Sequence, residues 1–83
     1  MSDEQQLSFG QKAVGLRFNP SGDGRVDGVK QLYADVIDTM NTLRNTAQAN
    51  GDHEKARLAS IAITEAQGAQ MWSVKAITWE EQR

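Results

Sequence analysis

The chain has 83 residues, a formal net charge of −2, a mean hydropathy of −0.60 and no cysteine. That is enough chain for one domain, with no disulfide, no cysteine-based metal site and no apolar run near the ~18 residues that a membrane span needs. The acidic balance argues against general binding to long nucleic acid, which takes a broad cationic surface, yet leaves room for a small anion held by a few local cations.

Residues 1–15 read as a short, weak helix. Ser2 or Asp3 can cap it, Glu4 suits its first turn and Gly15 can end it. Its apolar residues, Leu7, Phe9, Ala13 and Val14, make a poor stripe, and Gly10 weakens it further. A helix this short is marginal alone, so it must dock, on its own hairpin or on a neighbouring subunit. No signal-peptide pattern precedes it.

Residues 16–22 form a loop that opens the stretch of most interest, Arg17 to Lys30. Pro20 fixes its own φ and pushes Asn19 out of the helical region, so no helix runs through. Ser21 and Asp23 are two possible N-caps for the helix that follows. Backbone N–H groups at such a start carry the positive end of the helix dipole and suit an anion. Arg17, Arg25 and Lys30 bracket this start, and Phe18 offers a flat face for a base. Read locally, the stretch favours an ordinary capped helix start with solvated charges. The sharper hypothesis is a small-anion site, most simply for a nucleotide.

Residues 23–50 read as one long helix. Val26, Val29, Leu32, Tyr33, Val36, Ile37, Met40 and Leu43 recur at three/four spacing. Asn50-Gly51-Asp52 then gives a stop, a turn and a restart. A second long helix runs over 52–79, with Asp52 as its cap. Its apolar residues cover more than half its circumference, among them Leu58, Ile61, Ile63, Met71, Trp72, Val74 and Ile77. One face can pack on the preceding helix as an antiparallel hairpin; the other needs a partner. The last residues, from Trp79, read as a frayed charged tail. The fold class expected is therefore all-α, with a short N-terminal helix plus a long antiparallel helical hairpin, in a single domain.

An energy estimate adds to the case for a partner. A compact chain of this mass buries apolar surface worth roughly 125 kcal/mol. Ordering the chain costs about the same, at about 1.5 kcal/mol per residue. With no disulfide or zinc to add stability, a homo-oligomer is expected.

Catalysis has little support. His53, the one histidine, sits just after the turn, where a solvated first-turn residue is the simplest reading, and no serine or cysteine lies in a nucleophile motif. His53 and Glu54 are adjacent and point to different faces, so they do not make a metal pair. Gly22 and Gly24 lack the lysine of a P-loop and the preceding strand of a dinucleotide fold. On the last helix, Thr64, Trp72 and Lys75 fall at separations of eight and three residues. There Trp72 could stack on a base while Lys75 meets a phosphate, or Trp72 could be core with Lys75 snorkelling.

Two stretches read together are distinctive. One is Gly15-Leu16-Arg17-Phe18-Asn19-Pro20-Ser21-Gly22-Asp23 with Val26-Asp27-Gly28-Val29-Lys30 behind it. The other is Arg57 to Thr64 followed by Ala69-Gln70-Met71-Trp72-Ser73-Val74-Lys75-Ala76-Ile77-Thr78-Trp79. Over residues 15 to 79 the pattern resembles the helical-hairpin domain of phage anti-CBASS proteins, shared with some anti-Thoeris proteins. The resemblance implies a non-enzymatic sponge without cofactor or metal, acting in the cytoplasm of the infected bacterial host. It implies a homohexamer that sequesters cyclic dinucleotides of the 3′,3′-cyclic GMP–AMP type and cyclic trinucleotides of the triadenylate type at separate sites between subunits. By the same resemblance Lys30 and Phe18 contact ligand. Ile63 or Thr64 stands where some members use an arginine, a departure from the family pattern that bears on the trinucleotide site. Joined to the residue reading, the candidate ligand-binding set is Arg17, Phe18, Asn19, Pro20, Ser21, Arg25, Lys30, Thr64, Trp72 and Lys75. The competing function is a structural or adaptor oligomer whose hairpin binds a protein partner.

Overall fold

A computed structural model describes residues 6–82, in which every regular element is helical. The elements are α1 (Phe9–Ala13), α2 (Gly24–Ala49), α3 (His53–Ile77) and a short 3-10 helix (Trp79–Gln82). Helices α2 and α3 form the antiparallel hairpin that the sequence predicts, and the expected bounds of both agree with the observed ones to within two residues.

The connection follows from three residues. Asn50 caps α2, Gly51 takes a left-handed φ of 76°, and the Asp52 carboxylate accepts from the Lys55 N–H at 3.1 Å to start α3. Glycine occupies the left-handed position at no steric cost.

The first helix is shorter than expected and starts later. Ser8 is its cap, in a reciprocal box with Gln11: Ser8 Oγ accepts from the Gln11 N–H at 3.1 Å, and Gln11 Oε1 accepts from the Ser8 N–H at 2.9 Å. The proposed caps Ser2 and Asp3, and Glu4 with them, lie outside the described residues. Gly15, with a φ of 63°, ends the helix as expected. The tail differs too: Trp79–Gln82 is helical, while Arg83 lies outside the described residues.

Helix α1 docks on its own hairpin. The Gly10 N–H donates to Asp38 Oδ1 at 2.6 Å, and Gln67 Nε2 reaches the Ala13 carbonyl at 3.5 Å. Val14 from this segment joins Ala34 and Ile37 of α2 with Ile63 and Ala66 of α3 in the core. Burying a side chain such as Ile37 fully contributes about 1.5–3 kcal/mol.

The core is narrower than the apolar pattern predicts. Val26 and Ile37 are buried as expected, but Leu32, Val36 and Leu43 on the same helix are 66%, 49% and 38% exposed. Two helices and a short third can cover only one side of each long helix. On α3 the small residues Ala56, Ala59 and Ala66 face inward with Ile63, leaving Leu58, Ile61, Met71 and Trp72 outside. The chain measures 49 × 33 × 13 Å and exposes 5658 Å², above the about 4,900 Å² of a compact chain this size.

Among the described residues no helix is long and apolar enough to cross a membrane, and no group of histidine, cysteine or carboxylate side chains is placed to hold a metal.

Candidate functional site

The loop between α1 and α2 is held from inside. Gly15 donates its N–H to the Lys12 carbonyl at 3.1 Å, and Leu16 donates to the Gln11 carbonyl at 3.0 Å, so the chain reverses tightly at the end of α1. Phe18 then donates its N–H to the Gly15 carbonyl at 2.9 Å. Lys30, on the inward face of α2 and 5% exposed, sends its ammonium into this turn. Its Nζ donates to the Gly15 carbonyl at 2.9 Å and to the Phe18 carbonyl, and lies 5.6 Å from the centre of the Phe18 ring.

Beyond Pro20 the polar side chains tie the loop to the start of α2. Ser21 Oγ donates to Asn19 Oδ1 at 2.6 Å and accepts from the Asp23 N–H at 3.0 Å. Asn19 Nδ2 donates to the Asp23 carbonyl at 2.9 Å and to Asp27 Oδ1 at 3.1 Å. Of the two proposed caps, Asp23 takes the position, accepting from the Arg25 N–H at 2.9 Å. Arg25 swings back onto the same carboxylate, with Nη2 at 2.7 Å from Oδ2. The Arg25 guanidinium, and after it the Arg25 N–H, hold the Asp23 carboxyl below its ordinary value.

The Asp23 carboxylate thus caps the start of α2 as one of the two expected caps, with Asp27 in the first turn beside it. The loop also offers a cavity of about 340 Å³. Phe18, Asn19, Pro20 and Ser21 form its loop wall, Val26 and Lys30 its α2 wall, and Val74 and Thr78 its α3 wall. Arg17 lies outside it, lining a neighbouring cavity of about 450 Å³ with Leu7, Lys12 and the other side of the Phe18 turn.

The α3 candidates fall elsewhere. Trp72, 71% exposed, and Lys75 together line two shallow cavities, one of about 290 Å³ with Gly68 and Met71, the other of about 480 Å³ with Ala76 and Trp79. Thr64 is exposed and lines neither. The candidates therefore divide into a loop group and an α3 group. Val26, Val74 and Thr78 were missed by sequence reasoning. Ala34 and Ile37 pack with Ala66 and Ile63, and continuing that antiparallel register along both helices brings Val26 opposite Val74. The three-residue turn, residues 50–52, held that signal.

A short helix folded on a helical hairpin, with a largely apolar cavity at the loop, defines a small all-helical domain. The chain belongs to the family described as "Acb2/Tad1, hairpin domain", the anti-CBASS and anti-Thoeris sponge family, which matches residues 11–78. Neither a curated protein nor a solved structure matches the chain.

Proposed function

We propose that this protein is a phage immune-evasion protein that binds and sequesters cyclic di- and trinucleotide second messengers of bacterial CBASS defence without cleaving them. It acts in the host cytoplasm as a homo-oligomer, a hexamer by family resemblance. The observation that carries this reading is the loop cavity in a chain of a sponge family: a ring face at Phe18, an ammonium at Lys30 and an apolar wall at Val26 and Val74. The cavity is at the small end of ligand pockets, which run about 300–1,000 Å³. It takes one nucleotide, and the rest of a cyclic ligand extends beyond it, toward a second copy. Asn19, Pro20 and Ser21 shape the loop wall, while Arg17 and Arg25 supply cationic potential around it. Trp72 and Lys75, with Thr64 further along α3, serve a separate site of stacking and charge.

The test is to mix the protein with 3′,3′-cyclic GMP–AMP or cyclic triadenylate, heat-denature it and identify what is released. Intact ligand supports sequestration. Linear product would make it a nuclease, and no binding to any cyclic di- or trinucleotide would end the proposal.

A structural or adaptor oligomer is the second reading. It is favoured by the exposed Leu32, Val36, Leu58, Ile61 and Met71, apolar side chains that a protein partner would cover. Stoichiometric capture of a protein partner, unaffected by Phe18→Ala, would favour it.

A further inference from the structure

We propose that the open face of the hairpin, opposite α1, is a two-fold interface in which each copy's α2 ridge packs into the alanine groove of its partner's α3. The inference rests on the homo-oligomer of the proposed function, not on its ligand.

Helix α1 covers one side of the hairpin only. Its Gly10 approaches α2 at Ala34 and Asp38, and its Ala13 carbonyl meets Gln67 of α3. An α-helix turns ~100° per residue, so Val36 lies roughly 200° around α2 from both Ala34 and Asp38. Ala69 lies roughly 200° around α3 from Gln67. On this far side Leu32, Val36 and Leu43 of α2 are exposed. The stripe beside them on α3 is small: Ala62, Ala66, Ala69, Ser73 and Ala76, alternately four and three residues apart. Neither set contains a charged residue. The one polar side chain, Ser73, is already satisfied, since its Oγ donates to the Ala69 carbonyl at 2.8 Å. Charges return two turns before each set, at Arg25 and Lys55, where an interface carries its polar rim.

A ridge beside a groove is self-complementary. A two-fold axis parallel to the helices sets each ridge over the partner's groove, with all neighbouring helices antiparallel. An axis across the helices would stack ridge on ridge and leave the alanines facing a void. The parallel axis also keeps each residue at its own height along the hairpin. Ala34 and Ile37 pack with Ala66 and Ile63. In that register Leu32 falls beside the partner's Ala69, and Val36 beside the partner's Ala62. The hairpin face is about 38 Å long and about 20 Å wide, near the ~800 Å² that each partner of a standard interface contributes. A second copy is therefore the occupant that shape and area select. The contact uses none of Phe18, Lys30, Trp72 and Lys75, the groups assigned to ligand.

The chain has no cysteine, so introduced cysteines report the contact without background. Leu32→Cys combined with Ala69→Cys should give a disulfide-linked dimer under mild oxidation, with the 32–69 linkage found by peptide mass mapping. Each single variant should stay unlinked, because this axis holds like residues on diagonal helices, beyond disulfide reach. In light scattering, Ala69→Leu should weaken self-association by about tenfold or more, at unchanged helix content, by overfilling the groove. A face that associates only through general apolar attraction would gain from the added leucine. Absence of the 32–69 linkage, linkage in either single variant, or undiminished association of Ala69→Leu would overturn the inference. So would an unaltered protein that stays monomeric and takes up a different protein on this face. Neither readout involves ligand. The linkage in a protein that binds no cyclic nucleotide would remove the proposed ligand and keep the interface. Ligand binding without the linkage would remove the interface alone.

Discussion

Asp38 on α2 accepts the backbone N–H of Gly10 at 2.6 Å, and this single bond joins two segments 28 residues apart. The approach is close enough to exclude any side chain at position 10. A Cβ there would lie 2.2 Å from the Ala34 carbonyl oxygen and 2.9 Å from the Asp38 carboxylate. Gly10→Ala should therefore destabilise the fold by about 1–3 kcal/mol, as overpacking does. Asp38→Ala should cost a similar ~1–3 kcal/mol by leaving the amide without its acceptor. Urea unfolding followed by circular dichroism measures both, and a neutral Gly10→Ala would mean that α1 does not dock this way.

The core carries a polar side chain whose removal should help. Gln70 is 6% exposed on the inward face of α3, and its side chain makes no hydrogen bond to a described residue. Burying an amide without a partner is unfavourable, whereas a methionine of similar shape has no such demand. Gln70→Met should raise stability by about 1 kcal/mol, read as a higher urea midpoint at unchanged slope. A lower midpoint would show that the amide is satisfied in solution.

These two residues also mark what the sequence could and could not reveal. The hairpin was legible because its signals are local: Asn50-Gly51-Asp52 breaks the chain, and three/four spacing runs on either side. The start of α1 was partly legible, since Ser8 and Gln11 have capping-box spacing, but Ser2 and Asp3 offered an equal cap upstream. Gly10 read as a helix weakener because its reason is the backbone of residue 34, a tertiary fact. Within the candidate site, Phe18, Asn19, Pro20, Ser21 and Lys30 were legible from the Pro20 break and the flanking charge. The burial of Lys30 was not legible, because the turn carbonyls that make it tolerable become partners only once the chain reverses at Gly15. The Asp23 cap was legible as a cap, but not the Arg25 guanidinium that folds back onto it.

The exposed apolar side chains make the assembly testable. Leu32 is 66% exposed on α2 and Trp72 is 71% exposed on α3. If copies meet on these faces, a carboxylate there is desolvated without a partner and breaks the contact. Leu32→Glu and Trp72→Glu should each lower the mass found by light scattering while leaving helix content unchanged. An unaltered protein that runs as a folded monomer at micromolar concentration would remove the oligomer from the proposal.

Acid should act first at two surface ion pairs. Hydrogen bonds from Arg25 hold the Asp23 carboxyl below its ordinary value of 3.8, and hydrogen bonds from Arg57 do the same to Glu54 against 4.5. A carboxyl whose folded value is depressed binds its proton more readily when unfolded. Its contribution is therefore fully present above the unfolded value and is lost as pH falls through the folded one. Arg25 Nη2 lies 2.7 Å from the half-buried Asp23 carboxyl and Arg57 Nη2 2.7 Å from the exposed Glu54, and both guanidinium groups are open to solvent, so screening keeps each effect small. Thermal melts should be flat from neutral pH down to the ordinary carboxylate range and fall below it. Asp23→Ser keeps a capping oxygen but removes the titrating group and its Arg25 pair. It should reduce the acid-side drop and lower the melting temperature slightly at neutral pH, with both differences shrinking at high salt. An acid-side drop of the same size in Asp23→Ser would place the responsible carboxylate elsewhere, and Glu54→Gln would then carry the test.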